Sequence, residues 1–138
     1  MSPESIDRIE SSFAALRSKA TVLTGVFYEH LFAAHPGVRP LFPDDLKEQR
    51  MKLAQSLAAV VDNIRDLCAV VPALQEMGAR HVAYGTEPAH YGAVRDSLLA
   101  AMADVAGDQW NETLHQDWTA AINLVAGVMM QGAEQAQA

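Results

Sequence analysis

The sequence predicts an all-α domain, and three observations lead there. Apolar residues recur at three- and four-residue steps in one segment after another, which is the period of a helix face. Nowhere do β-branched and polar residues alternate in the two-residue period of a half-buried strand. Proline and glycine cluster between the periodic segments, most densely over residues 35–43, where they read as a connection. A chain of 138 residues has room for one domain with a sizeable core and not for a second of ordinary size. The expectation is a single domain over residues 1–138, built from about six to eight helices and frayed at residues 1–3 and 132–138.

The first helix opens at Ser2-Pro3-Glu4, with serine as a cap, proline in the first turn and an acid at the positive end of the dipole. Ile6, Ile9, Phe13 and Leu16 share its inward face. Val22, Leu23, Val26, Phe27 and Leu31 carry a second apolar face at a shifted phase, with Gly25 among them. A glycine inside a helix costs about 1 kcal/mol relative to alanine, and its usual benefit is the close approach of another helix. Residues 35–43 hold Pro36, Gly37, Pro40 and Pro43; missing donors and restricted preceding residues predict a turn or 3₁₀ segment there, with Leu41-Phe42 as its buried anchor. Asp44-Asp45 supply capping acids for a long third helix through Met51, Leu53, Leu57, Val60, Val61, Ile64 and Leu67. Pro72 sits in the first turn of a helix that runs to His81. Pro88 opens the next, with Tyr91, Val94, Leu98, Leu99 and Met102 as its apolar positions. Gly107-Asp108 mark a turn before a last helix carrying Leu114, Trp118, Ala121, Ile122, Val125, Val128 and Met129.

Composition narrows the function. A net charge of −7 and a pI near 5.0 argue against a nucleic-acid binder, which needs a basic face. They suit a soluble protein that meets neutral small molecules and offers an acidic surface to a basic partner. The single cysteine, Cys68, excludes an intrachain disulfide. Its apolar run, Leu67 to Val71, predicts a small buried hydrophobe, and no basic cluster beside it would activate the thiol. No apolar run reaches the length of a membrane span, and Met1-Ser2-Pro3-Glu4 lacks the basic-then-apolar pattern of a leader. A cytoplasmic location is the default expectation.

Three polar side chains stand out by position. Residues 77–85, Met-Gly-Ala-Arg-His-Val-Ala-Tyr-Gly, bring His81 to the end of a helical pattern just before Gly85-Thr86-Glu87-Pro88 breaks it. A helix that delivers a neutral imidazole to an interior and then stops suits a metal or haem ligand; a structural or solvated histidine fits the same spacing. Tyr28 follows Phe27 into the core, where its hydroxyl needs a partner. Gln49 shares a helix face with Leu53 and Leu57 at four-residue steps, a pattern that a solvated side chain satisfies equally. Of the other histidines, His35 and His115 read as solvated, His30 points away from Tyr28, and His90 neighbours Tyr91.

The order Phe27-Tyr28, Pro36 to Leu41-Phe42, Gln49 to Leu53, Ala79-Arg80-His81 to Gly85, and Tyr91 to Val94 and Leu98-Leu99 resembles the globins. Within them it is most similar to the bacterial single-domain haemoglobins and to the haem domain of flavohaemoglobins, over about Ile6 to Met130. The resemblance implies the globin fold, its helices sandwiching haem b (iron protoporphyrin IX). It implies His81 as the iron ligand, with its second ring nitrogen donating to a backbone carbonyl or water. It implies cofactor contacts from Phe42, which packs on the porphyrin, and from Gln49, Leu53, Leu57, Tyr91, Val94 and Leu98, which line the pocket. Arg80 would reach a propionate, with His90 a second candidate there. Tyr28 and Gln49 are the implied catalytic pair: dioxygen gains negative charge on binding, and a preplaced phenol and amide stabilise that charge.

What the resemblance implies about activity is reversible O₂ binding, with NO and CO as further ligands, and NO dioxygenation to nitrate as the enzymatic role. The alternative is a haem-based redox or gas sensor, or an O₂ carrier or store with no catalytic role. Flavohaemoglobins add a flavin and a nicotinamide domain, which this chain is expected to lack, so an external reductase is the expected partner. Neither nucleic acid nor membrane is expected, and the oligomeric state is expected to be monomer or weak homodimer. Two departures bear on the chemistry. The family's glutamate on the last helix falls near Ala133, with Glu134 out of phase, and a tyrosine earlier on that helix is replaced near Ile122. An imidazole without a carboxylate partner is less electron-donating, so a peroxidase-like push is not expected.

Overall fold

Ser2 starts the first helix as its composition predicts: its Oγ accepts from the Ser5 amide at 3.1 Å, with Pro3 in the first turn. The structure is a computed structural model that describes residues 2–83 and 88–137. Those residues form six α-helices: α1 (Pro3–Arg17), α2 (Ala20–Ala34), α3 (Lys47–Asp62), α4 (Val71–Ala83), α5 (Pro88–Ala106) and α6 (Glu112–Gln137). Short 3₁₀ segments at Pro36–Leu41, Ile64–Val70 and Gly107–Gln109 complete the fold, and the described residues include no strand. None of the helices among them is long and apolar enough to cross a membrane.

The breaks have local causes. His35 precedes a proline and leaves helical geometry (φ −136°, ψ 68°). The 3₁₀ segment after it is braced by Arg39, whose guanidinium donates to the carbonyls of Phe42, Pro43 and Asp44 and lies 5.0 Å from the centre of the Phe32 ring. Asp45 Oδ1 accepts from the Lys47 amide at 3.0 Å and so starts α3. That helix is shorter than its apolar pattern suggests. Asn63 turns its side-chain amide back onto the Ala59 carbonyl at 2.7 Å, and Asp66 is non-helical (φ −143°, ψ 69°), so Ile64 and Leu67 fall in a 3₁₀ segment. Gly107, at φ +58°, takes the left-handed conformation that ends α5, and Asn111 Oδ1 caps α6 by accepting from the Leu114 amide at 2.9 Å. Helix α6 continues to Gln137, through most of the stretch expected to fray.

The core joins α1, α2, α5 and α6 through Ile9, Phe13, Leu16, Leu23, Phe27, Leu31, Leu98, Leu99, Met102 and Trp118, all buried. The Trp118 indole donates to Ser12 Oγ at 3.0 Å, and its ring lies 6.1 Å from that of Phe13. Beside it, Arg8 grips the buried Asp117 carboxylate through two nitrogens at 2.5 and 3.1 Å. That hydrogen bond holds the Asp117 carboxyl below the usual carboxylate range. A depressed folded-state pKa stabilises the fold above the unfolded value and loses that contribution as pH falls through the folded one. Unfolding midpoints should therefore drop on acidification below about pH 4, and Asp117→Asn should flatten that part of the thermal-melt profile.

Four expectations meet a different outcome. Cys68 is exposed, because the chain has left α3 before reaching it. Leu41 is 40% exposed: the 3₁₀ segment buries Val38 and Phe42 carries the inward contact. Val22 and Met51 stand 57% and 52% exposed, at the outer edges of stripes wider than the faces that α2 and α3 bury. Gly25 admits a side chain, the Arg50 guanidinium, and not a helix backbone.

The close helix approach occurs elsewhere. A Cβ on Gly78 would lie 1.8 Å from the Met129 carbonyl oxygen, and one on Gly132 would lie 2.0 Å from that of Gln75. Helices α4 and α6 thus cross antiparallel with backbone on backbone. Gly78→Ala should destabilise by about 1–3 kcal/mol or more, the cost of overpacking, against roughly neutral Gly37→Ala, where nothing stands within 4 Å; urea unfolding midpoints compare the two.

Candidate functional site

His81 lies in the last turn of α4, half-buried. Its Nδ1 donates to the carbonyl of Met77, four residues back, at 2.6 Å. A carbonyl only accepts, so this bond assigns the ring proton to Nδ1, and the neutral imidazole then carries its lone pair on Nε2. The sequence predicted a backbone carbonyl or water as this partner; the residue is Met77. Helix α4 itself rests on α6 and on the 3₁₀ segment before it, and among the described residues no extensive backbone packing ties it to α2, α3 or α5.

Tyr28 comes from α2, 5% exposed. Its ring meets Phe27 edge-on at 4.8 Å, Phe42 edge-on at 5.6 Å and Phe32 in a stack at 5.7 Å. Phe32 and Phe42 are themselves 5.5 Å apart, so the phenol stands among three phenylalanines. Burial pushes its pKa up to about 12, opposed by a side-chain hydrogen bond from Gln49 and by the charge of Arg50. Gln49, half-buried in the first turn of α3, thus lies beside the phenol.

The remaining candidates divide. Phe42, Leu53 and Val94 are half-buried and pack against the core, and Leu98 lies within it. Tyr91 is half-buried in the first turns of α5, and burial raises its phenol pKa. Arg80 is exposed. Leu57 lines a cavity of about 30 Å³ with Phe13, Leu16, Leu23 and Ala58. Four-residue steps advance about 400° on a helix, so two of them from Gln49 carry Leu57 round toward α1 and α2. His30 bonds Asp104 on α5 at 2.6 Å, away from the phenol, and His35 and His115 are exposed. Gly85 and its neighbours, the break after His81, lie outside the described residues. Ala133 and the exposed Glu134 lie on the far side of the Gly78–Met129 crossing from His81, since the two helices run antiparallel.

Sequence reasoning missed Arg50, whose guanidinium spans α2 and α3, and the glycine pair at 78 and 132. A charged residue beside Gln49 and glycines inside two apolar helices were the available signals.

Fold and site together define an all-α protein that carries a tautomer-fixed imidazole on one helix and a buried phenol–amide pair shared by two others. The globin family model matches residues 25–129, and the chain belongs to the globin family. It is 32% identical over 126 residues to the flavohemoprotein of Bacillus subtilis, covering 89% of this chain and 32% of that protein. With the flavohemoprotein of Vibrio cholerae it shares 27% over 133 residues, covering 94% and 34%. The chain thus spans about a third of the length of the curated relatives it matches. Among solved structures it is similar to an engineered carbene transferase from Rhodothermus marinus, a candidate nitric oxide dioxygenase, at a TM-score of 0.90 and 27% identity, covering 99% of this chain and 96% of that one. A bacterial globin from Campylobacter jejuni has the same fold, at a TM-score of 0.88 and 24% identity over 97% of each chain.

Family and relatives imply a haem cofactor, and the donor set fits one. The lone pair on His81 Nε2 is what an iron takes, with Nδ1 already committed to Met77.

Proposed function

We propose that the chain holds haem b through His81 and uses it to bind dioxygen reversibly and to convert nitric oxide and dioxygen, with one electron, to nitrate. When bound, the haem supplies an iron that takes the diatomic ligand and carries the one-electron change. The electron comes from a separate reductase, in keeping with the flavohemoprotein likeness, and the protein works in the cytoplasm.

The residues divide the work. The Met77 carbonyl keeps His81 in one tautomer and one ring orientation. Phe42, Leu53, Val94, Leu98 and Tyr91 keep water from the cofactor, and exposed Arg80 meets a propionate at the rim. Gln49, beside Tyr28, helps hold the phenol so that its proton is offered to the ligand. The observation that carries the reading is this phenol, buried among three phenylalanines beside Gln49, its pKa pushed up to about 12 by burial. A neutral donor fixed in a dry site favours whatever ligand gathers negative charge, which dioxygen does more than carbon monoxide.

Stopped-flow mixing of the reduced, air-equilibrated protein with nitric oxide tests this. Stoichiometric nitrate within the mixing burst is expected. Slow O₂ release without nitrate would leave carriage or storage as the role.

A further inference from the structure

How Gln49 is held follows from α2, and what it does there rests on the reading of Tyr28 as the ligand donor with Gln49 beside it. Gln49 sits in the first turn of α3, where a helix frays most readily, and the residue at the helix boundary, Leu46, offers no side-chain cap. Asp45 steadies the Lys47 amide at the start of the turn, but that bond is local and does not reach α2. Arg50 does reach it. Its Nη2 donates to the Thr21 carbonyl at 2.5 Å, and its Nε donates to Thr24 Oγ1 at 3.4 Å.

Thr24 is prepared for this contact. It is 2% exposed, and its hydroxyl donates back along α2 to the Ala20 carbonyl at 3.0 Å, so a lone pair is what it presents to the guanidinium. Gly25 makes the path: a Cβ there would stand 2.9 Å from Nη2 and 3.3 Å from Cζ. Thr21, Thr24, Gly25 and Tyr28 follow at three- and four-residue steps on α2, so the arginine is anchored one turn from the phenol. A cation in the first turn of a helix opposes the helix dipole, and among the described residues Arg50 forms no salt bridge. Its bonds to α2 are what offset that placement.

We propose that Arg50 is a positioning residue: threaded across Gly25 onto Thr21 and Thr24, it pins the first turn of α3 to α2 so that Gln49 meets the Tyr28 phenol. Arg50 touches no ligand in this scheme and positions Gln49; its charge also acts on the Tyr28 phenol, and Gly25→Ala, which keeps that charge, separates the two.

The test pairs Arg50→Met, which keeps length and helix propensity, with Gly25→Ala, which crowds the guanidinium and leaves its charge. In the haem-free chain, amide hydrogen exchange of residues 49–53 should quicken by about ten-fold in Arg50→Met as the first turn loosens. In the haem-loaded chain, Arg50→Met and Gly25→Ala should each raise the O₂ release rate by about five-fold, on the scale of one hydrogen bond, and shift the infrared stretch of bound carbon monoxide toward that of Gln49→Leu. The decisive arm is the double variant that keeps the charge: in a Gln49→Leu background, Gly25→Ala should add nothing. An equal effect of Gly25→Ala in both backgrounds, or unchanged amide exchange in Arg50→Met, overturns the proposal. If Tyr28→Phe and Gln49→Leu leave O₂ release untouched while exchange still quickens, the pinning stands and the donor reading is the one that falls.

Discussion

His81→Ala should yield a chain that keeps its helices and no longer holds haem. The imidazole is a small part of what fixes α4, which rests on α6 through the backbone contacts at Gly78 and Gly132. Losing it removes the hydrogen bond to Met77 and, on the proposed reading, the coordinate bond from α4 to iron. Far-ultraviolet circular dichroism should therefore change little. Haemin titration should lose its stoichiometric endpoint and its sharp Soret band. Added imidazole should restore part of the spectrum by filling the space the side chain left. An unaltered, stoichiometric haem spectrum in the variant would remove the ligand assignment.

Tyr28→Phe carries the second large effect. The change deletes one hydroxyl from a buried aromatic cluster and leaves the ring contacts with Phe27, Phe32 and Phe42 in place. A hydrogen bond to a charged acceptor is worth about 1.5–3 kcal/mol, so O₂ release should quicken by about ten- to hundred-fold. Carbon monoxide release should change far less. A phenol with a raised pKa stabilises the fold below the unfolded value and loses that contribution as pH climbs through the folded one. Stability should accordingly fall between about pH 10 and the folded value of about 12, and Tyr28→Phe should remove that part of the decline in equilibrium unfolding. A release rate equal to that of the parent protein would mean the hydroxyl proton serves another partner.

These two residues mark how much of the site was legible beforehand. His81 and Tyr28 stood out because each is polar in an apolar pattern, one at a helix end and one beside Phe27. Gln49 was ambiguous, since a glutamine in a first turn reaches either solvent or the interior. The structure sets it beside the Tyr28 phenol. Leu57 lines a small cavity with residues of α1 and α2, because equal steps of four hold one face over two residues and drift round the helix over three. Cys68 was misread because the apolar run around it does not reveal that Asn63 and Asp66 break the helix first.

By itself the sequence determined the all-α class, most of the helix starts, the three polar side chains and the likeness to globins, because capping, proline geometry and a 3.6-residue period act within a few residues of one another. Only the tertiary structure decided that Met77 orients His81, that Arg50 crosses Gly25 to reach α2, and that Gly78 and Gly132 bring two backbones together. Each of those joins residues whose meeting depends on how whole helices cross, and a crossing is set by the summed packing of many side chains, which no local pattern encodes.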